Sequence, residues 1–117
     1  AAGTVSDVTY ENAYIEDAQE FAIWLACLSH NYNIGFEDDG TTPLKYSPGR
    51  IRNVSYRNIH VMNVRSSKGG CVIRGYDKEH NVSGISFENF DYLGKKVTSI
   101  EDPVWKEKKN YDKVSFK

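Results

Sequence analysis

An octad of residue types recurs three times along this chain, and it constrains the fold more than any other feature. It reads Val5-Ser6-Asp7-Val8-Thr9-Tyr10-Glu11-Asn12, then Ile51-Arg52-Asn53-Val54-Ser55-Tyr56-Arg57-Asn58, then Val82-Ser83-Gly84-Ile85-Ser86-Phe87-Glu88-Asn89. The slots are aliphatic, any residue, small or polar, aliphatic, hydroxyl, aromatic, charged, asparagine. A clipped fourth copy lies in Tyr111 to Lys117, with Val114, Ser115 and Phe116 in the aliphatic, hydroxyl and aromatic slots. Self-similarity of this kind marks a chain built from stacked units.

Inside each copy the apolar residues alternate, as Val54 and Tyr56 do against Ser55 and Arg57, which specifies a strand with one buried face. Strands stacked at the usual spacing of about 4.8 Å would put Val8, Val54 and Ile85 in an aliphatic column. Tyr10, Tyr56 and Phe87 would form an aromatic column beside it. Asn12, Asn58 and Asn89 close the copies, and asparagine suits a turn because it tolerates the left-handed conformation. No copy can bury its own face alone.

Counted at the aliphatic slot, successive copies are 46, 31 and 29 residues apart. The two later spacings suit one coil of a parallel β-helix, and the first suits one coil with a long excursion. The fold expected is all-β: a short right-handed parallel β-helix (solenoid) of about three to four coils. One domain over 1–117 follows from the length.

The remaining segments fill in this plan. Phe21 to Leu28 is apolar on nearly every side and reads as a helix or a strand. The strand is favoured because Cys71 to Tyr76 holds the equivalent place after the second octad. Aligning Phe21 with Cys71 puts Ile23 on Ile73, facing in, and Trp24 on Arg74, facing out. Ser29 to Gly49 is the excursion, and loops of that length are often functional. Val97 to Ile100 reads as a short strand, and lysine-rich 104–117 as a capping tail whose charge discourages edge pairing.

Charge and composition narrow the partners. The net charge is −1 and the basic residues are not clustered before residue 106, so nucleic acid is not the expected partner. No apolar run approaches a membrane span. Cys27 and Cys71 are too few for a disulfide framework; buried small side chains are the plain reading, with a single bridge left open. The three histidines are too far apart in the pattern to hold a metal.

With the octads, the Cys71 to Asp77 strand and Val82 to Lys96 in hand, the chain resembles the right-handed parallel β-helix of the pectin-lyase-like superfamily. The string Arg74-Gly75-Tyr76-Asp77-Lys78-Glu79-His80, followed by an octad and then Leu93-Gly94-Lys95-Lys96, is similar to the closing coil of polygalacturonase-like glycosidases (glycoside hydrolase family 28). The resemblance implies a secreted, periplasmic or extracellular setting and cleavage of plant or microbial polysaccharide by inversion, with no cofactor and no metal. It also implies the C-terminal part of a longer solenoid, since such enzymes are several times longer. Their Asn-Thr-Asp, His-Gly and Arg-Ile-Lys signatures are not in this chain, and Asp38-Asp39 matches their acid pair in letters only.

Candidate site residues follow from chemistry. Glu37 and Asp39 on one side of an extended segment would lie roughly 6.5 to 7 Å apart, within reach of the separation of about 6.5 to 9.5 Å that inverting glycosidases use. Asp38 between them would raise a neighbour's pKa by repulsion. A solvated acidic turn is the plainer account of the same three residues. Trp24 and Arg74 as outward neighbours would offer a pyranose platform and a fork for a uronate carboxylate; the plainer account packs Trp24 under the excursion and pairs Arg74 with a nearby acid. Tyr14, Arg52 and Arg57 would extend that face or serve as plain outer-face residues. His30 and Tyr32, in the excursion, join them as substrate-binding candidates. The alternatives to a glycosidase are a non-catalytic carbohydrate-binding module and a structural piece that self-associates through open coil ends.

Overall fold

The computed structural model describes residues 3–27, 40–41 and 49–117, and each octad lies in a strand. The first is in β1 (Thr4–Ile15), the second in β3 (Arg50–Val61) and the third in β5 (Val82–Tyr92). They pair in parallel, with Val8 against Val54 against Ile85 and Tyr10 against Tyr56 against Phe87. The clipped copy is β8 (Tyr111–Phe116), which lies parallel to β5 with Val114 on Ile85 and Phe116 on Phe87. A short β6 (Lys95–Lys96) turns back antiparallel against Asp91 and Tyr92. The second sheet is parallel, with β4 (Gly70–Arg74) between β2 (Phe21–Ala26) and β7 (Trp105–Lys109).

The expected right-handed parallel β-helix is therefore corrected. The chain is all-β, but its strands form two separate sheets, the first mixed because β6 runs against β5, with no closed or solenoid sheet. Period-two alternation specifies a half-buried strand and its register; it carries no information on how one sheet meets the next. The lysine-rich end supplies β7 and β8, one strand to each sheet, and Val97 to Ile100 lies outside any strand.

The sheets share one core. Val54, Tyr56, Ile59, Ile85, Phe87 and Phe90 of the first pack with Ile23, Leu25, Cys71, Ile73 and Trp105 of the second. The aromatic column is continuous, with ring centroids 5.1 Å apart from Tyr10 to Tyr56, 5.0 Å from Tyr56 to Phe87 and 5.0 Å from Phe87 to Phe116. Offset stacking of this kind adds to area burial. Burial rises steeply from the edge inward: Tyr10 is 52% exposed, Tyr56 8% and Phe87 1%. The edge strand thus carries the same residue types as the centre without the same cover. Cys27 and Cys71 are free, buried thiols.

Two columns of left-handed residues shape the first sheet. Asn12, Asn58 and Asn89 have φ of 56°, 54° and 53°. Their side chains form a ladder, Asn58 Nδ2 donating to Asn12 Oδ1 at 2.9 Å and Asn89 Nδ2 to Asn58 Oδ1 at 2.8 Å. Asp7, Asn53, Gly84 and Lys113 make the other column, with φ of 59°, 54°, 74° and 51°. The small-or-polar slot of the octad is thereby explained: it selects residues that tolerate this backbone. Asn58→Ala removes both ladder bonds and strains a left-handed position, whereas Asn58→Gly removes the bonds only. Urea denaturation is expected to find the alanine variant less stable than the glycine variant by about 1 kcal/mol. Equal losses would show that the conformation places no demand on residue 58.

Candidate functional site

The outward face of the first sheet is built from rows that cross β1, β3 and β5. In the hydroxyl slot Ser86 Oγ donates to Ser55 Oγ at 3.1 Å, with Thr9 and Ser115 at either side in register. In the charged slot Arg57 stands between two acids, Nε bonding Glu88 Oε2 at 2.8 Å and NH1 lying 3.7 Å from Glu11 Oε2. Beyond the asparagine ladder comes a third row, Tyr14, His60 and Asp91, which are register partners.

In that third row the Tyr14 ring stacks on the His60 imidazole with centroids 4.8 Å apart and planes at 29°. His60 Nδ1 is held by Asp91 Oδ1. When Nδ1 carries the proton and donates it, Nε2 keeps its lone pair as an acceptor. Tyr14 is 69% exposed, the most exposed large hydrophobic residue of the described chain. A ring that is both open to solvent and fixed by stacking presents a flat apolar surface at little entropic cost. The three residues each lie two positions after an octad's closing asparagine. That constant offset is the signal that marks them, and residue type alone does not.

Glycosidic cleavage asks more of a face than binding does. Glu11 and Glu88 are two strands apart, roughly 9.6 Å by sheet spacing, and the Arg57 guanidinium stands between them, paired with both. The row is a ladder of alternating charge, suited to hydrogen bonding.

The second sheet corrects the expected pairing of Trp24 with Arg74. Phe21 pairs with Gly70 and Ile23 with Cys71, so a bulge at Ala22 shifts the register, and Trp24 faces Val72 while Ala26 faces Arg74. Trp24 is 54% exposed, its indole meeting Phe21 edge-on at 5.1 Å. The Arg74 guanidinium is occupied by Glu107, with NH1 at 3.0 and 3.2 Å from the two carboxylate oxygens. Glu37, Asp38, Asp39, His30 and Tyr32 lie outside the described residues.

Two other features lie off this face. At the β1–β2 end, Tyr10, Ala13, Ile15, Ile23, Trp24 and Ile59 border an apolar cleft of about 310 Å³. Around Asp77 a tight turn forms, its carboxylate accepting from the His80 backbone N–H at 2.6 Å and the Glu79 N–H at 3.0 Å. Those bonds, the His80 backbone one first, hold the Asp77 carboxyl below the usual range, and hydrogen bonds from Arg65 and Asn63 do the same for Asp17. Among the described residues no group of three or more His, Cys, Asp or Glu is placed to hold a metal, and no helix is long and apolar enough to cross a membrane.

Comparison with protein-family models, with curated proteins and with solved structures finds no match for this chain. The fold and the face define a two-sheet, all-β domain carrying one ordered polar surface with an exposed aromatic platform.

Proposed function

We propose that this domain binds polysaccharide or oligosaccharide on the outward face of its first sheet, without cleaving it. The observation that carries this is Tyr14: an open ring, locked against His60, with Asp91, Arg57 and Glu88 as hydrogen-bonding groups on the same sheet. The apolar face of a pyranose packs on such a ring, and carboxylates and guanidinium groups are the partners that sugar hydroxyls and uronate carboxylates take. The likeness of Arg74 to His80 and Leu93 to Lys96 to the polygalacturonase-like glycosidases supports a plant or microbial glycan and a secreted setting.

Affinity electrophoresis against a panel of acidic and neutral polysaccharides, with reducing-end release measured in parallel, tests the reading. Retardation without release is expected on at least one glycan. Tyr14→Ala should weaken it by about tenfold, equivalent to roughly 1.4 kcal/mol, and Trp24→Ala, on the other sheet, should have a smaller effect. Release of reducing ends that disappears in Asp39→Asn would replace binding with catalysis. Absence of retardation on every glycan would remove the sugar reading.

A further inference from the structure

The two open edges of the first sheet match each other in register and in charge. Among the described residues β1 pairs only with β3, and β8 only with β5. On its other side neither has a strand beside it among the described residues, the arrangement that strand addition uses. The outer side of β1 shows Val5 and Tyr10 more than half exposed, while Tyr111, Val114 and Phe116 on β8 are only half-buried.

Carrying the observed ladder one strand further sets β8 of one copy against β1 of the next. Since β1, β3, β5 and β8 are all parallel, no strand has to reverse. Tyr111 then meets Val5, Val114 meets Val8, Ser115 meets Thr9 and Phe116 meets Tyr10. Each slot receives the residue type it already holds inside the domain.

Charge agrees independently. Between residues 3 and 27 every charged side chain is acidic: Asp7, Glu11, Glu16, Asp17 and Glu20. Residues 105–117 hold five lysines against Glu107 and Asp112. In the extended ladder Lys113 falls on Asp7, both in the left-handed column. Lys117 sits beside Glu88, its N–H bonding Phe87 O and its carbonyl receiving the Asn89 N–H, so it falls on Glu11. The row Glu11, Arg57, Glu88, Lys117 already alternates in sign, and the next Glu11 continues the alternation.

The geometry points to head-to-tail association of this chain with a second copy, β8 of one adding to β1 of the next. The contact is heterologous, so it propagates into an open series instead of closing as a dimer. It is confined to the first sheet. On the second, Lys108 lies opposite Ile73 in an inward row, its Nζ tied to Ile100 O and Glu101 Oε2 at 3.0 Å each, and an inward charge at an edge opposes pairing. The proposal does not rest on glycan binding: Tyr14 lies beyond the reach of β8 in this register.

Sedimentation velocity across a hundredfold concentration range, reaching on the order of 1 mM because the contact is small, tests it. The weight-average sedimentation coefficient should rise with concentration past the value for a dimer. A head variant (Asp7→Lys with Glu11→Lys) and a tail variant (Lys113→Asp with Lys117→Glu) should each associate at least tenfold more weakly, with unchanged circular dichroism. Lysine is admissible at position 7 because Lys113 already holds the same backbone conformation. Mixed in equal amounts, the two variants should associate again, since each junction then joins opposite charges. A chain that stays monomeric, a plateau at a dimer, variants that associate like the original, or a mixture that fails to recover would each overturn the proposal. Tyr14→Ala should leave association unchanged while weakening glycan binding, which keeps the two questions apart.

Discussion

Phe87→Ala is expected to remove about 3–5 kcal/mol of folding stability, a large share of the roughly 5–15 kcal/mol that holds a domain of this kind folded. The Phe87 ring has four aromatic neighbours: Tyr56 and Phe116 at 5.0 Å, Trp105 at 5.3 Å and Phe90 at 5.4 Å. It is the point at which the column of the first sheet meets the second sheet through Trp105. Urea unfolding followed by tryptophan fluorescence measures the loss. Phe116→Ala, at the half-buried end of the same column, should lose less than half as much. Similar losses at both sites would mean that the column is not anchored at its centre.

Raising the pH from 9 to 11 is expected to destabilise the domain sharply, and Cys71 is the main reason. Burial, with no exposed surface left on the residue, pushes its thiol from an ordinary value of 9.0 up to about 12. The thiol ionises near 9 in the unfolded chain but stays protonated in the folded one. Its contribution is thus complete below pH 9 and declines as the pH rises toward 12. By pH 11 this single group loses roughly 2–3 kcal/mol. Burial raises the Tyr56 phenol as well, which acts in the same direction at higher pH. Tyr56→Phe, which puts in column the residue type already at 87 and 116, should unfold at higher pH than the original chain. Cys71→Ala should flatten the alkaline arm of a stability–pH curve. An alkaline arm unchanged in Cys71→Ala would assign the loss elsewhere. At the acid end the sign reverses: the lowered carboxyls of Asp17 and Asp77 contribute above their ordinary value of 3.8 and lose that contribution as the pH falls below it.

The sequence made the strand registers legible because the octad repeats buried side-chain types, and buried types are chosen by what lies above and below them. Val8, Val54, Ile85 and Val114 could be aligned by type before any coordinates, and so could the four rings. Two things resisted. The bulge at Ala22 leaves no mark in composition, so the alignment of Phe21 with Cys71 was wrong and Trp24 was set beside Arg74. The relation between sheets resisted too, because connectors decide it and Ser29 to Gly49 repeats nothing. The candidate site was half visible. Arg57 and Tyr14 are legible as outward residues, but the expectation that they extend the face of Trp24 and Arg74 fails because those two belong to the other sheet. The two-residue offset that joins His60 to Tyr14 and Asp91 shows only once the register is known. Glu37, Asp38 and Asp39 were chosen for their chemistry, with no register to position them.

The two left-handed columns sit five residues apart in β1, in β3 and in β5. A one-residue insertion between them would force an aliphatic residue such as Val54 or Ile85 into a conformation that a β-branched side chain resists. Length variation is therefore locked out of the strands and left free in the connectors, where the octads already differ by 46 against 31 residues. Descendants of this chain can acquire new loops, and whatever those loops recognise, without renumbering the ladder beneath them.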